Sequence, residues 1–332
     1  LLTEIGEILS RNRSAILMID PTAHVILPVH KILDGIKEDT RGDDAIGTTR
    51  QGVGPAYADR ASRIGMTFRE LVCDPLDRVL SRIESIYDAH EVVYTKGLRL
   101  FVEEWSHRIR PFVSSKVQQE IYTAMRDSRG VLFSGAHGMA LDINHGHYPY
   151  VTSSSCMAGA IAAGAGVDPR MLNQVVGVMK AYDTRIGNGP FLTEMPDGLA
   201  GFIREKGNEY GSTTGRPRRV GWMNTAIINY GNRANGYDYM ALMKLDILTG
   251  LNGIKIYHEQ PWMSPSPPEY QTIESLACDE LPGWTEDFTG ARTMKYLPKE
   301  AIQVIKRIEE MIGIPVKLIG TGPKADDMVD LR

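Results

Sequence analysis

Residues 301–320 read AIQVIKRIEEMIGIPVKLIG. Up to Ile312 the apolar residues of this stretch recur at intervals of three and four, which is the spacing of one helix face. The spacing predicts a helix that starts after Pro298 and ends near Gly313. The apolar run Val316–Ile319 follows at once and is typical of a buried strand. A helix that leads directly into a buried strand indicates an α/β fold.

The same alternation extends over most of the chain. Helical spacing predicts further helices at Leu2–Leu9, Phe68–Asp88, Leu98–Ile109 and Lys116–Met125. Short apolar runs bounded by Gly, Asp or Asn predict buried strands at Ala15–Ile19, Val131–Phe133, Val175–Val178, Met240–Leu248 and Ile254–Tyr257. Loops are predicted from Gly42 to Gly54 and from Trp262 to Pro268. We therefore predict a mostly parallel sheet flanked by helices, with ligands at the carboxyl ends of its strands.

The amino-acid composition excludes several classes of protein. The chain has 332 residues, 42% of them hydrophobic and 23% charged, which is an ordinary globular composition. A formal net charge of −4 argues against nucleic acid as a main partner. Three cysteines without a CxxC spacing indicate neither a disulfide framework nor a thiolate metal site, and they favour a reducing cytoplasm. The sequence shows no apolar run long enough to span a bilayer and no signal peptide, so no membrane association is expected.

Two loops carry the residue types that bind anions. The segment Gly47–Pro55, GTTRQGVGP, combines glycines, threonine hydroxyls and an arginine, which suit a phosphate. The segment Ser212–Arg219, STTGRPRR, holds three arginines whose forked donors fit carboxylates and phosphates. A plain turn and a solvated basic loop are the alternative interpretations of the two segments.

Two further segments are compatible with base recognition and with metal binding. Lys244-x-Asp246 ends an apolar run, and an aspartate there could accept two N–H bonds from the Watson–Crick edge of guanine. Gly320–Pro323 ends another run and could supply backbone contacts to the same base. His145-x-His147 near Asp142 raises the possibility of a metal, although a hydrogen-bonded loop histidine is favoured because no third ligand follows at regular spacing.

The order of these segments resembles that of the adenylosuccinate synthetase family from Ala45 almost to the end of the chain. The stretches that carry the resemblance are AIGTTRQGVGPAYADRASRIG, LDINHGHYPYVTSSS, KAYDTRIGNGPFLTEM, GNEYGSTTGRPRRVGW, MKLDILTGL, LPGW and IKRIEEMIGIPVKLIGTGP. The resemblance implies a P-loop-NTPase-like α/β fold with helical and loop insertions, present here as one domain over residues 1–332. It also implies a homodimer, Mg²⁺ and GTP. In the implied reaction the γ-phosphoryl group of GTP moves to O6 of IMP, and the aspartate amine then displaces that phosphate.

The resemblance also assigns residues. The IMP-binding positions it implies are Thr48, Thr49, Arg63, His137, Thr152, Ile186 and Arg218. Arg63 corresponds to the arginine that reaches the partner subunit's site. The implied aspartate-binding positions are Thr213, Thr214, Arg216 and Arg218, and the implied GTP-binding positions are Arg218, Lys244, Asp246, Gly320, Thr321 and Gly322.

Two departures from the family pattern shape the expectations. The chain lacks the family's first strand and its GDEGKGK phosphate loop, so we expect an amino-terminally truncated copy whose catalytic base and acid lie upstream and which is inactive alone. No catalytic residue and no metal ligand is expected within these residues. His137 stands where the family has glutamine, and Ser155-Cys156-Met157 replaces a more polar stretch, which leaves the purine open.

Three alternatives follow from these residues. A phage-type relative that condenses aspartate with dGMP, using an adenine nucleotide as donor, would account for His137, whereas Asp246 favours a guanine donor. A non-catalytic nucleotide-binding or dimerisation module would account for the missing phosphate loop. A dehydrogenase is disfavoured because no GxGxxG opens a helix after a strand.

Overall fold

A computed structural model describes residues 1–93, 98–212, 214–258 and 276–332. The chain forms two compact units. Unit 1 comprises Leu1–Ser134, Thr152–Ser155 and Ile161–Met171, and unit 2 comprises Gly135–Val151, Cys156–Ala160 and Leu172–Arg332. No helix in the described part of the chain combines the length and the apolar character needed to cross a bilayer. The assignment of residues 1–332 to one domain, which the sequence predicts, stays a prediction.

Unit 1 is helical. Its helices are α1 (Leu2–Arg11), α2 (Pro28–Arg41), α3 (Val53–Ser62), α4 (Phe68–Cys73), α5 (Leu76–Ala89), α6 (Leu98–Ile109) and α7 (Val117–Arg126). The next helix, α8 (Ala158–Ala165), contains residues of both units. One apolar cluster forms the core of unit 1, and its fully buried members include Val29, Met66, Ile83 and Ile86.

Unit 2 is an α/β unit. Its strands are β1 (Val176–Lys180), β2 (Asp183–Arg185), β3 (Arg219–Gly221), β4 (Met223–Asn224), β5 (Tyr239–Met243), β6 (Gly253–Tyr257), β7 (Cys278–Pro282), β8 (Val316–Gly320) and β9 (Met328–Asp330). Its helices are α9 (Asp197–Gly207), α10 (Thr225–Asn235) and α11 (Lys299–Ile312).

The main sheet of unit 2 has the strand order β1-β5-β8-β9. Strands β1, β5 and β8 are parallel, and β9 runs antiparallel to β8. Helix α11 buries Ala301, Val304, Ile305 and Ile308 in the same core as β5 and β8, so the apolar face that the sequence shows is the face that packs. The carboxyl ends of three parallel strands therefore lie side by side.

Most of the predicted elements are confirmed, with shifts of one or two residues at their ends. Helix α11 runs from Lys299 to Ile312, with Gly313 as its left-handed cap. Helices α1, α6 and α7 and strands β1, β6 and β8 also occur where the patterns predicted them. The predicted loop Trp262–Pro268 lies outside the described residues.

Two predicted elements are interrupted by single residues. The helix predicted over Phe68–Asp88 is broken between α4 and α5, because Pro75 forces Asp74 into an extended conformation with a ψ of 155°. The strand predicted over Met240–Leu248 ends at Met243. Lys244 adopts a left-handed conformation with a φ of 62°, and a 3₁₀ turn, Leu245–Leu248, follows it.

Two predicted strands are wrong. In Ala15–Ile19 only Ile19 pairs, in a single bridge to Val113, and the side chain of Ile16 is 85% exposed. Val131–Phe133 is irregular, and the side chain of Leu132 is 94% exposed. An apolar run forms a strand only where a neighbouring strand supplies backbone partners. Apart from that bridge, the described residues give these two runs no such neighbour.

Candidate functional site

The ends of two adjacent parallel strands come together in unit 2. Leu242 of β5 lies opposite Ile319 of β8, so Lys244 follows one strand beside the point where Gly320 ends the other. This juxtaposition follows from parallel pairing, since equivalent ends of parallel strands lie at one edge of a sheet. The two segments that the sequence suggested for one base are therefore neighbours.

Lys244 is held in an unfavourable backbone conformation. Its φ of 62° lies in the left-handed region, which non-glycine residues adopt rarely. Its ammonium group donates to the carbonyl of Gly207 at 2.6 Å and to Glu209 Oε1 at 2.9 Å. The charge is thus engaged inside the protein, and the aliphatic stem is the part of Lys244 suited to pack against a ring.

Asp246 lies two residues further along, within the 3₁₀ turn. Burial raises the pKa of its carboxyl group, while Lys206 and Lys244 oppose that change. Lys206 donates to the carbonyl of Thr249 at 2.7 Å. The ionised form of a half-buried carboxylate is poorly solvated, so donors from a ligand would stabilise it.

Close packing explains the glycines at the end of β8. A Cβ on Gly320 would lie 3.3 Å from the Cα of Met243, and one on Gly322 would lie 2.7 Å from Asp327 Oδ2. Thr321 is fully buried, and its hydroxyl donates to the carbonyl of Ala291 at 2.8 Å. The side chain of Thr321 is therefore used inside the fold, and this segment can offer a ligand mainly its backbone.

Glu209, which the sequence reasoning missed, lies at the centre of a buried charge cluster. Its Oε1 accepts from Tyr182 Oη at 2.7 Å and from the ammonium of Lys244. Its Oε2 accepts from Lys180 Nζ at 2.9 Å and from Arg218 Nη1 at 2.6 Å. The side chain of Glu209 is fully buried, so its charge depends on these partners.

The titration behaviour of Glu209 follows from these contacts. Burial alone would raise the pKa of Glu209, but hydrogen bonds from Lys244, Lys180, Arg218 and Tyr182 outweigh it and lower the pKa to about 2. Burial lowers the pKa of Lys180, against the stabilising effect of Glu209. The carboxylate is therefore ionised at any physiological pH. We call Glu209, Lys180, Lys244 and Arg218 the Glu209 cluster.

The arginine loop forms a tight turn next to the Glu209 cluster. The amide of Gly215 donates to the carbonyl of Gly211 at 2.8 Å, and the amide of Gly211 donates to the carbonyl of Arg216 at 2.8 Å. Ile186 contacts the same turn, since its Cδ1 would lie 3.2 Å from a Cβ on Gly211. Thr214 is exposed at the tip of the turn, and Thr213 lies outside the described residues.

The three arginines of this loop are not equivalent. Arg218 is bound to Glu209 both through Nη1 and through its backbone amide, which donates to the carbonyl of Glu209 at 2.9 Å. Arg219 forms an ion pair with Glu194 and donates to the carbonyl of Gly189 at 2.8 Å. The expectation that all three serve an anion is therefore too broad, because Arg219 holds the loop to its own unit.

In unit 1, two carboxylates accept hydrogen bonds from backbone amides in and next to the Gly47–Pro55 loop. Glu38 accepts from the amides of Ile46 at 3.3 Å, Gly47 and Thr48 at 2.9 Å. Asp34 accepts from the amide of Gly52 at 2.9 Å. The sequence-based idea that glycine amides here face a phosphate needs correction for Gly47 and Gly52, because both amides are bonded to carboxylates. The hydroxyl groups of Thr48 and Thr49 and the guanidinium of Arg50 are polar groups of this loop of the kind that binds phosphate.

Helix α3 connects this loop to Arg63. Its first turn lies beside the Thr152–Ser155 segment, since a Cβ on Gly54 would be 3.4 Å from Ser153 Oγ. Arg63 caps the other end in a left-handed conformation, with a φ of 65°, and is exposed. Asp59 in the same helix is buried between His30 Nε2 at 3.1 Å and His90 Nε2 at 2.8 Å. Asp59 thereby joins α3 to α2 and to the end of α5.

The loop that follows residue 135 is organised by Asp142. The fully buried Asp142 carboxylate accepts from the amides of Asn144 at 2.8 Å, His145 at 3.0 Å and Cys156 at 2.6 Å. Burial and the charge of Arg185 lower the pKa of His147 to about 4. No group of three potential metal ligands is found among the described residues, so the metal interpretation of this segment gains no support.

The structure thus distributes the predicted residues over both units. Thr48, Thr49, Arg63 and Thr152 belong to unit 1. His137, Ile186, Arg216, Arg218, Lys244, Asp246 and Gly320–Gly322 belong to unit 2. Within unit 2, the Glu209 cluster joins the arginine loop to the strand end that carries Lys244. His137 is exposed in a left-handed conformation, with a φ of 74°.

A parallel sheet whose adjacent strand ends carry Lys-x-Asp and a glycine-rich turn, beside a fixed arginine loop, defines an α/β protein of the nucleotide-binding class. Comparison with known proteins gives the family. Residues 1–329 match the family model of adenylosuccinate synthetase. The chain belongs to the adenylosuccinate synthetase family, whose members are ligases that form a C–N bond in AMP biosynthesis.

Relatives and solved structures agree with this assignment. The adenylosuccinate synthetase of Carboxydothermus hydrogenoformans is 41% identical over 337 residues, covering 96% of this chain and 78% of the relative. That of Brevibacillus brevis is 41% identical, covering 95% and 77%. The fully ligated adenylosuccinate synthetase of Plasmodium falciparum superposes with a TM-score of 0.88 at 30% identity, covering 100% of this chain and 82% of that structure.

A phage enzyme shares the fold. The succinoaminodeoxyadenylate synthetase of cyanophage S-2L, bound to dGMP and dATP as an energy donor, superposes with a TM-score of 0.60 at 19% identity. The match covers 99% of this chain and 72% of that structure. At this identity the likeness concerns the fold alone.

Proposed function

We propose that this protein ligates L-aspartate to IMP with GTP as phosphoryl donor, and that it does so as a cytoplasmic homodimer. The observation that carries the proposal is the carboxyl edge of the sheet in unit 2. There the segment Lys244–Asp246 follows β5 next to the end of β8 at Gly320, and Lys244 is tied through Glu209 to the arginine loop. Two classes of anionic ligand, a nucleotide and an amino acid, suit such an edge.

Asp246 and its neighbours are proposed to bind guanine. A carboxylate accepts the N1–H and the exocyclic amine of guanine together, a pairing that adenine does not offer. The stem of Lys244 would pack on the ring, and the backbone of Gly320, Thr321 and Gly322 would line the base. Arg218 would contribute positive charge toward the nucleotide.

The arginine loop is proposed to bind aspartate. Arg216 would pair with a carboxylate of the amino acid, and Thr213 and Thr214 would add hydroxyl donors. Arg218 lies between this loop and the guanine segment and would serve both ligands. The backbone hydrogen bonds from Gly211 to Arg216 and from Gly215 to Gly211 support this role, because backbone that is already bonded loses little entropy on binding.

IMP is proposed to bind through several separate segments of the chain. Thr48, Thr49 and Thr152 would hold its phosphate, His137 would face the purine, and Ile186 would contact the ribose. Arg63 would enter from the partner subunit. Its exposure at the carboxyl end of α3 supports a role outside its own unit.

The proposed chemistry has two steps. The γ-phosphoryl group leaves GTP and bonds to O6 of IMP as the N1 proton of IMP departs, giving GDP, 6-phosphoryl-IMP and one proton. The aspartate nitrogen then attacks C6, phosphate departs with O6, and the amine proton is released. The residues described here would position reactants and neutralise charge, which is most of what phosphoryl transfer requires of a protein.

Magnesium is proposed as the metal that accompanies GTP. The described residues contain no group of three His, Cys, Asp or Glu side chains suited to a metal, so they do not form a protein cage for it.

The function is tested with protein expressed from the complete open reading frame. We expect one adenylosuccinate and one phosphate per GTP when IMP, aspartate and Mg²⁺ are supplied. Turnover with dGMP and an adenine nucleotide, but none with IMP and GTP, would contradict the proposal. Guanine-nucleotide binding without any turnover would instead support a non-catalytic module.

The second candidate is the dGMP reaction of the phage-type relatives. His137 is the observation that favours it, because an imidazole presents its donor and acceptor in a different geometry from glutamine. Exchanging His137→Gln should then alter the ratio of kcat/KM for IMP and dGMP. Asp246 weighs against this candidate, since a carboxylate pairs with guanine and not with an adenine donor.

A further inference from the structure

We propose that Glu209 is a positioning residue that couples the guanine segment to the aspartate loop. The inference rests on the proposed function, since it concerns the same two ligand sites. Glu209 lies within the stretch GNEYGSTTGRPRRVGW, but none of the roles that the resemblance implies is assigned to it. Its importance emerges only from the contacts of its side chain.

The contacts join three distant parts of the chain. Glu209 binds Lys180 at the end of β1, Lys244 after β5 and Arg218 in the arginine loop. Lys180 is also fixed by Thr184 Oγ1 at 2.7 Å, and Lys244 by the carbonyl of Gly207 at 2.6 Å. Moving the arginine loop therefore disturbs the same carboxylate that sets the position of Lys244.

The charge balance of the cluster points toward anionic ligands. Three cations bind the carboxylate of Glu209, and the carboxyl groups of Asp183 and Asp246, which interact with Lys180 and Lys244, offset part of the positive surplus that remains. The side chains of Lys180, Lys244 and Arg218 remain 28%, 34% and 27% exposed, while that of Glu209 is fully buried. Lys244 and Arg218, the two cations that belong to the proposed ligand sites, are thus anchored from inside and reach solvent on their other side.

An ion-pair network could serve stability alone. The two roles predict different kinetics for a variant that lacks the Glu209 carboxylate but keeps its stability. If Glu209 only balances charge within the fold, the KM values of such a variant should be normal. If Glu209 holds Lys244 and Arg218 in position, the KM values should be raised even though the protein is stable.

The test measures steady-state kinetics and thermal unfolding of protein from the complete open reading frame. Glu209→Gln keeps the shape of the side chain and removes its charge. We expect KM to rise about tenfold or more for both GTP and aspartate, with a smaller change for IMP. Lys180→Met is the matched control, because it removes one partner of the same carboxylate and leaves Lys244 and Arg218 in place. Its two KM values should change less than about threefold.

A double variant keeps the test decisive if Glu209→Gln folds poorly. Glu209→Gln combined with Lys180→Met removes one charge of each sign, so the surplus of the cluster is the same as in the natural protein. We expect the unfolding temperature to recover toward that of Lys180→Met while both KM values stay high. Recovery of both KM values together with stability would overturn the proposal.

Binding cooperativity provides a second readout. In the natural protein, saturating aspartate should raise the affinity for a non-hydrolysable GTP analogue, and the analogue should raise that for aspartate by the same factor. In the double variant this factor should fall to about one. Equal factors in the two proteins would contradict the coupling. If the natural protein is inactive, the proposed function is refuted. If the natural protein is active and the double variant has the same cooperativity factor, only the role of Glu209 is refuted.

Discussion

At the scale of single residues, the decisive side chains are charged groups held in unusual surroundings. Asp246 is a carboxylate whose pKa is raised by burial, and Lys244 is a lysine in a left-handed conformation. Both conditions are unfavourable on their own. Their juxtaposition at a strand end is understandable if a ligand base completes the hydrogen bonding of the carboxylate.

The first prediction concerns Asp246 and pH. Because burial raises the pKa of Asp246, its carboxylate takes up a proton at higher pH than an exposed aspartate does, and GTP affinity should fall as the pH is lowered and this proton binds. Asp246→Asn should weaken GTP about tenfold or more and flatten this pH dependence. Titration calorimetry at several pH values measures both effects. ITP is the matched ligand, because it lacks the exocyclic amine and should lose less affinity in the variant; equal losses would argue against guanine recognition.

The second prediction concerns Arg216. Arg216→Leu should raise the KM for aspartate by about a hundredfold and change the KM for GTP by less than about threefold, since a bidentate carboxylate partner is lost. Initial rates with varied aspartate provide the measurement. Arg219→Leu is the contrast, because Arg219 pairs with Glu194 and should mainly lower stability. An unchanged KM for aspartate in Arg216→Leu would refute the loop assignment.

At the scale of elements, buried carboxylates decide how segments are held. Asp59 links α3 to His30 of α2 and to His90 after α5. Asp142 closes its loop through three amides, and Glu38 and Asp34 close the phosphate-type loop. Each of these carboxylates accepts hydrogen bonds from backbone or side-chain donors in place of a helix or sheet partner, because buried donors need an acceptor.

The third prediction tests the Asp59 linkage. Asp59→Asn should lower the free energy of unfolding by about 1–3 kcal/mol, because the imidazoles of His30 and His90 both lose their anionic partner. Burial lowers the pKa of His30, so its folded value lies below the unfolded one, and stability should also decline as pH falls below about 6.5. Urea unfolding monitored by circular dichroism measures both. Asp77→Asn removes an exposed pair with Arg99 and should cost less than about 1 kcal/mol.

The fourth prediction concerns Asp183 in β2, whose carboxyl accepts from the amide of Asn224 at 3.1 Å. Burial raises the pKa of Asp183 to about 7. Because the folded-state pKa exceeds the unfolded one, the contribution of this group to stability should decrease as pH rises from about 4 to about 7. Asp183→Asn should therefore gain stability relative to the natural protein at pH 8 but not at pH 4. Thermal unfolding at both values decides it, and a pH-independent difference would contradict the raised pKa.

Sequence periodicity predicted the helices and strands well where a helix and the strand that follows it pack in the same core. The α11–β8 stretch is correct almost to the residue, because its apolar face, its proline start and its glycine cap all agree. The runs Ala15–Ile19 and Val131–Phe133 failed because pairing depends on a neighbouring strand, which periodicity does not encode. Glu209 could not be found locally, since its partners at Lys180, Arg218 and Lys244 come from separate segments. The motif containing GNEYG was the only signal available.

At the scale of the whole molecule, the proposed role of Arg63 makes each site depend on a second subunit. Each unit has its own apolar core, so each supplies rigid support for its own loops. A site that needs a residue from its partner subunit depends on assembly as well as on its own side chains. Mixing experiments can test that dependence directly.

The fifth prediction uses such a mixture. In protein from the complete open reading frame, Arg63→Leu and Arg216→Leu should each be nearly inactive. Random exchange of subunits between them should restore about a quarter of natural activity, because half of the dimers are mixed and each mixed dimer has one intact site. Activity assays after denaturation and joint refolding measure the recovery. Activity no higher than the sum of the separate variants would count against a shared site.

The loop in front of Glu38 has a consequence for the rate of ligand capture. Three consecutive amides, those of Ile46, Gly47 and Thr48, are bound to one carboxylate before a ligand arrives. A backbone that is already ordered loses little freedom when a ligand docks. Association at this loop should consequently be limited by diffusional encounter instead of by loop closure, and differences in affinity among related ligands should lie in how long each one stays.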